Sequence, residues 1–179
     1  MTDVKEIFNG VYQFKLKQHI DDRGFFSEIY KNEDLLTNNI SYSFVQDNLS
    51  FSEHVNTIRG LHYQNEPFDQ SKYVIVLKGK IWDVFVDLRK SSNTYLKFGF
   101  AELTQNQSSL LIPKGFAHGF CTLEPNTLVL YKVDNPYSKE HEEGIVWNDK
   151  TLNIPWPVDK NKIILSEKDE KLPNLGKLK

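Results

Sequence analysis

Strand-length runs whose apolar residues alternate or run unbroken recur along this chain, and they constrain its fold more than any other feature. GVYQFKL, FFSEIY, KYVIVLKG, KIWDVFVDLR, KFGFAEL, SSLLIP and TLVLYKVD are all of this kind. Turn-forming DDRG, NEP, LKGK, KSSN, PKG and EPN fall between them. Helical periodicity is nearly absent, and the helix candidates are the short acidic KNEDLLTN and a turn in the C-terminal tail. Many short strands at this spacing predict an all-β sandwich or barrel with a few short helices. At 179 residues, 39% of them apolar and 13% aromatic, the chain has material for one domain over residues 1–179 with a sizeable core.

The 22 basic and 24 acidic residues leave a net charge of −2. Such a balance supplies no broad field for nucleic acid or an anionic membrane, so neither is expected as a partner, and an anionic ligand has to be held by local charges. No apolar run approaches the ~20 residues of a membrane span. MTDVKEIFNG lacks the basic start and apolar stretch of a secretory signal, which makes the expected location cytoplasmic. The single cysteine, Cys121 in HGFCTL, cannot form an internal disulfide and reads as buried and inert.

Within KGKIWDVFVDLR, strand geometry turns Ile81, Asp83, Phe85 and Asp87 to one face and Trp82, Val84, Val86 and Leu88 to the other. If the first face meets solvent, the two acids only solubilise it. If it lines the mouth of a barrel, Asp83 becomes a pocket residue able to orient a neighbouring base.

Of the five histidines, His19, His54 and His141 sit in charged contexts and are expected to be solvated. His62 and His118 each follow a glycine-containing turn beside strand-like sequence, in RGLHYQ and IPKGFAHGF. The second of these has the pattern P-x-G-x-x-H, which resembles the second motif of the cupin superfamily. Metal-binding cupins also carry H-x-H followed by a glutamate, supplying imidazole and carboxylate ligands to a divalent ion. Here that place reads His62-Tyr63-Gln64, and H-x-H occurs nowhere, so no metal is expected. Imidazole titrates near pH ~6.5 and suits His62 to acid or base work, although a loop histidine taken alone is more often structural.

Read together, DDRGFFSEIY, VQDNLSFS, IRGLHYQ, QSKYVIVLKGKIWDVFVDLRKSSNTY, IPKGFAHGF, LYKVDNPYSKEHEEGIVWND, IPWP and LSEKD resemble the dTDP-4-dehydrorhamnose 3,5-epimerases of the cupin superfamily. The likeness runs through nearly the whole chain in one order. It implies a cupin-type jelly-roll β-barrel, a homodimer with exchanged strands, and neither metal nor nicotinamide cofactor. It also implies a dTDP-4-keto-6-deoxysugar substrate whose C3 and C5 are inverted through an enolate, giving dTDP-4-dehydro-L-rhamnose.

Carried over position by position, His62 matches the general base and Asp169 the carboxylate that pairs with it. Tyr131 matches the proton donor on the opposite sugar face, and Tyr137 the aromatic residue that stacks near the thymine. Lys72 and Arg59 match residues around the keto oxygen, where positive charge stabilises an enolate. Arg23, Glu28, Gln46, Asn48, His118, Glu142 and Lys168 match the remaining ligand-binding set. In the family part of this set comes from the partner subunit.

The chain departs from the family pattern in SSNTYLKF, where S-P-T is usual, and in WNDK, where an aspartate-proline is usual. Neither change touches a matched catalytic position. Relatives with nearly this constellation invert C3 alone, so a single-centre epimerase of a related dTDP-4-keto-deoxysugar is an alternative. A metal-dependent cupin and a non-catalytic sugar-binding cupin are the others.

Overall fold

The computed structural model describes residues 3–177. Its strands are β1 (Asp3–Phe8), β2 (Val11–Lys15), β3 (His19–Asp21), β4 (Gly24–Phe26), β5 (Gln46–Ser52), β6 (Ile58–Gln64), β7 (Lys72–Lys78), β8 (Lys80–Asp87), β9 (Phe98–Thr104), β10 (Ser108–Ile112), β11 (Phe116–Thr122), β12 (Thr127–Val133) and β13 (Glu142–Gly144). The helices are short: α1 (Asn32–Thr37), α2 (Glu167–Glu170) and a 3-10 turn at Leu175–Lys177. Among the described residues no helix is long and apolar enough to cross a membrane.

Antiparallel pairing builds a six-stranded sheet in the order β1-β2-β10-β7-β12-β5 and a five-stranded sheet in the order β13-β6-β11-β8-β9. They face each other as a jelly roll, while β3 and β4 form a separate hairpin. Three apolar layers hold this together. Val11, Val74, Val76, Ile81, Phe85 and Phe120 belong to the layer between the sheets. On the outer side of the six-stranded sheet, Phe14, Tyr73 and Ile75 pack under Leu35 of α1 and Ile40. On the outer side of the five-stranded sheet, Trp82, Val84 and Val86 are covered by Leu152, Ile154, Trp156 and Leu175 of the C-terminal segment. Removing each such side chain from water stabilises the fold by roughly 1.5–3 kcal/mol.

The unbroken apolar runs of β7 and β8 follow from this layering, because successive side chains feed two different cores. Both faces of β8 are therefore buried. Asp83 and Asp87 are each 0% exposed, so the solvent-facing alternative for this pair fails. Asp87 instead accepts hydrogen bonds from Arg89, Ser92 and Thr94. Cys121 is buried, and burial pushes its thiol up to about 12, as expected of an inert cysteine.

Two sequence expectations change. FFSEIY is strand only through Phe25 and Phe26; beyond them the chain turns to lay Ile29 and Tyr30 against the outer layer around Tyr73. RGLHYQ is not loop but most of β6, which places His62 on a paired strand. That strand depends on a close approach to β11: a Cβ added at Gly60, whose φ is +112°, would lie 2.6 Å from the His118 carbonyl oxygen. Glycine there lets the two backbones meet, and the register sets His62 directly opposite His118.

Candidate active site

A cavity of about 430 Å³ opens at one end of the interior, between the sheets. The five-stranded sheet contributes Arg59 and His62 from β6 and His118 from β11, and the six-stranded sheet contributes Lys72 from β7 and Tyr131 from β12. A second lobe of about 280 Å³, lined by Gln46, Asn48 and Tyr137, shares His62, Lys72, Tyr131 and Glu142 with the first. A larger cavity of about 570 Å³ touches Tyr63, Leu88, Tyr95 and Leu175 but none of these histidines, so chemistry rather than size marks the site.

His62 Nε2 lies 2.7 Å from Asp169 Oδ1, although the residues are 107 positions apart. A carboxylate only accepts, so in the neutral ring Nε2 carries the proton and Nδ1 holds the free lone pair. Asp169 is nearly buried, and its other oxygen accepts from the Gly60 backbone N–H at 3.3 Å. Burial raises its pKa, but hydrogen bonding to His62 and the His62 charge outweigh this and hold the carboxyl below the usual range. Ser166 caps α2, its Oγ accepting from the Asp169 N–H at 3.1 Å, and so fixes where the carboxylate points.

Lys72 is buried, and its Nζ donates to the His62 carbonyl at 3.3 Å. Burial lowers its ammonium to about 8, partly opposed by the charges of Asp83 and Glu142. Tyr131 is half-buried, and burial pushes its hydroxyl upward against the opposing pull of Arg59. The phenol therefore stays protonated at neutral pH and can give a proton. Arg59 is braced by Ser52 Oγ at 3.1 Å and the Phe51 carbonyl at 2.8 Å.

His118 Nε2 meets both carboxylate oxygens of Asp83, at 3.0 and 2.9 Å. Burial raises the Asp83 pKa, and His118 and Lys72 pull it back. Asp83 thus orients a histidine, though that histidine is His118 rather than His62. Around the second lobe, Glu142 accepts from the Tyr137 hydroxyl at 2.8 Å and pairs with Lys168 at 2.5 Å. Gln46 Nε2 donates to Asn48 Oδ1 at 2.7 Å.

Arg23 and Glu28 are not brought to this cavity within one chain. Arg23 sits in the β3–β4 turn, its side chain 90% exposed and paired with Asp21, and Glu28 is exposed beyond β4. Of the histidines expected to be solvated, His19 and His54 are exposed, whereas His141 is half-buried, held by Ser138 Oγ at 2.8 Å and packed on Phe68. Sequence reasoning missed Leu49, Ser50, Phe51, Phe120 and Ser166 as cavity residues. Only Ser166 left a signal, the S-x-x-D spacing of a helix N-cap. Among the described residues no group of three or more His, Cys, Asp or Glu converges as metal ligands.

The fold is a cupin-like jelly roll, and its cavity sets a histidine–carboxylate pair, a buried ammonium and a phenol around one space, a set of groups suited to moving protons. Comparison with known proteins makes the class definite, an isomerase. The chain belongs to the dTDP-4-dehydrorhamnose 3,5-epimerase family, whose sequence model matches residues 5–177. A dTDP-4-dehydrorhamnose 3,5-epimerase of Sinorhizobium fredii is 46% identical over 159 residues, covering 88% of this chain and 81% of that protein. The crystal structure of the Bacillus anthracis dTDP-4-dehydrorhamnose 3,5-epimerase, with TDP and PPi bound, superposes with a TM-score of 0.90 at 48% identity, covering 97% of this chain and 100% of that one. A Legionella pneumophila dTDP-6-deoxy-D-glucose-3,5-epimerase in complex with dTDP-4-keto-L-rhamnose gives a TM-score of 0.92 at 34% identity, over 99% of this chain and 94% of that one.

Proposed function

We propose that this protein inverts C3 and C5 of dTDP-4-keto-6-deoxyglucose to give dTDP-4-dehydro-L-rhamnose. The observation that carries the reading is the division of the cavity: His62, paired with Asp169 of α2, stands on the five-stranded sheet and Tyr131 on the six-stranded sheet opposite. A base on one side of a sugar ring and an acid on the other is what inversion requires.

The 4-keto group acidifies the hydrogens on C3 and C5. His62 takes one of these protons through Nδ1, and Asp169 stabilises the imidazolium that forms. The electron pair moves onto the keto oxygen, where Lys72 and Arg59 hold the enolate. Tyr131 then protonates the carbon from the other face and regains its proton from solvent, to which His62 releases the one it took. A change in how the ring lies presents the second carbon to the same base. The lobe with His62 and His118 takes the sugar, and the lobe with Gln46, Asn48 and Tyr137 takes the nucleotide, where Glu142 and Lys168 line the boundary.

Arg23 and Glu28 enter this reading through a second copy of the chain. The β3–β4 hairpin exposes Ile20, Phe25 and Phe26 by 79%, 51% and 67%. A homodimer with exchanged strands covers these residues and carries Arg23 to the partner's cavity, where its planar fork suits a diphosphate. A cytoplasmic location goes with this reading and with the single, buried cysteine.

Incubating the protein with dTDP-4-keto-6-deoxyglucose in deuterated water is expected to place deuterium at both C3 and C5, read by NMR. Label at C3 alone makes it a single-centre epimerase, and label at neither carbon sinks the proposal.

Lys72 gives a pH prediction. With its ammonium lowered to about 8, kcat/KM falls as pH rises through that value, because the charge opposite the enolate is lost. A pH–rate profile of Lys72→Arg, which does not titrate in this range, is expected to lack that limb; its survival assigns the limb to another group. The sign for folding is the reverse: between about 8 and the ordinary 10.5 the unfolded chain binds more protons at Lys72, so this group makes stability rise with pH.

A further inference from the structure

One buried polar atom in the cavity has no role so far. Ser50 lies on β5 and lines the lobe that holds His62 and His118, yet its Oγ is buried without a hydrogen-bond partner among the described residues. The polar side chains on either side of it along the same face of β5 are engaged: Asn48 accepts from Gln46, and Ser52 accepts from Arg59. Ser50 pairs in register with Val129, and Asn48 pairs with Tyr131. Ser50 therefore stands on the Tyr131 wall, one inward step beyond Asn48 and away from the nucleotide lobe.

A hydroxyl buried without a partner loses its hydrogen bonds to water and gains none in return, so alanine would serve the fold at least as well. Rotation about χ1 between staggered wells moves Oγ relative to the cavity with little backbone change. We infer that Ser50 Oγ hydrogen-bonds a ring hydroxyl of the bound sugar and sets how the ring lies against Tyr131. A serine hydroxyl both donates and accepts, so it can follow a sugar hydroxyl in either orientation. The inference rests on the function proposed above and adds a residue that determines sugar positioning.

The test compares Ser50→Ala with the unchanged protein in three measurements: dTDP binding by calorimetry, turnover of dTDP-4-keto-6-deoxyglucose, and thermal melting. The expected result is a fall of about tenfold in kcat/KM, with dTDP affinity within about twofold and a melting temperature no lower than before. A kcat/KM within about twofold of the unchanged protein overturns the assignment. An equal loss of dTDP affinity also overturns it, as does a lower melting temperature that accounts for the lost activity. Absence of turnover by the unchanged protein is a different failure: it overturns the epimerase reading, and this inference with it.

Discussion

His62→Ala is expected to bind dTDP normally and to lose deuterium exchange at both C3 and C5, by on the order of 10³-fold. The large effect follows from the proposed mechanism, in which one histidine–carboxylate pair serves both centres. His62 is the histidine whose ring meets Asp169, at 2.7 Å, while His118 has its Nε2 occupied by both oxygens of Asp83. Nucleotide binding should survive, since Gln46, Asn48 and Tyr137 line a lobe that extends beyond this ring. Calorimetry with dTDP and NMR of the labelled product make the two measurements. Exchange persisting at one carbon would mean that a second base serves that centre.

Asp169→Asn should lower kcat by on the order of 10²-fold or more while leaving dTDP affinity within about twofold. The substitution preserves shape but replaces an acceptor with a group that can also donate. An amide N–H facing Nε2 favours the ring tautomer with its proton on Nδ1, the atom that accepts one from carbon in the proposed mechanism. The charge that steadies the imidazolium is lost as well. Single-turnover measurements with dTDP-4-keto-6-deoxyglucose check the rate, and an unchanged kcat would remove Asp169 from the mechanism. A stability signature accompanies it. The folded carboxyl sits below its ordinary 3.8, so its contribution is fully present above that value and fades as pH falls through the folded pKa. The variant should therefore melt lower than the unchanged protein near neutral pH, with the gap closing in strong acid.

Which strands were visible in the sequence depended on what their faces pack against. β7 and β8 were plain because both of their faces are apolar and buried. β5 escaped notice for the opposite reason. Its polar residues Gln46, Asn48 and Ser50 line the cavity and Ser52 braces Arg59, while the alternating Leu49 and Phe51 sit at the cavity's rim, 64% and 54% exposed. β6 and β11 carry glycines and histidines where a strand usually has branched or aromatic residues, since their backbones approach closely at Gly60 and their side chains face the cavity. The strands hardest to read, β5, β6 and β11, thus build much of the site, while β7 and β12, which bring Lys72 and Tyr131 to it, were plain.

Sequence alone determined the all-β class, through period-two apolar patterning, and singled out His62, His118 and the family resemblance through short motifs whose chemistry is local. Tertiary structure decided which carboxylate serves which histidine. Asp83 shares a strand pattern with no histidine, yet β8 pairs with β11 and delivers it to His118. Asp169 reaches His62 because Ile163, Leu165 and Leu175 anchor the C-terminal segment on the outer side of the five-stranded sheet, and the Thr57–Ile164 bridge lays it beside β6. No local pattern encodes that crossing. It follows from burying apolar side chains on either side of a carboxylate that lies 107 positions from its histidine, and so it exists only once the chain has packed.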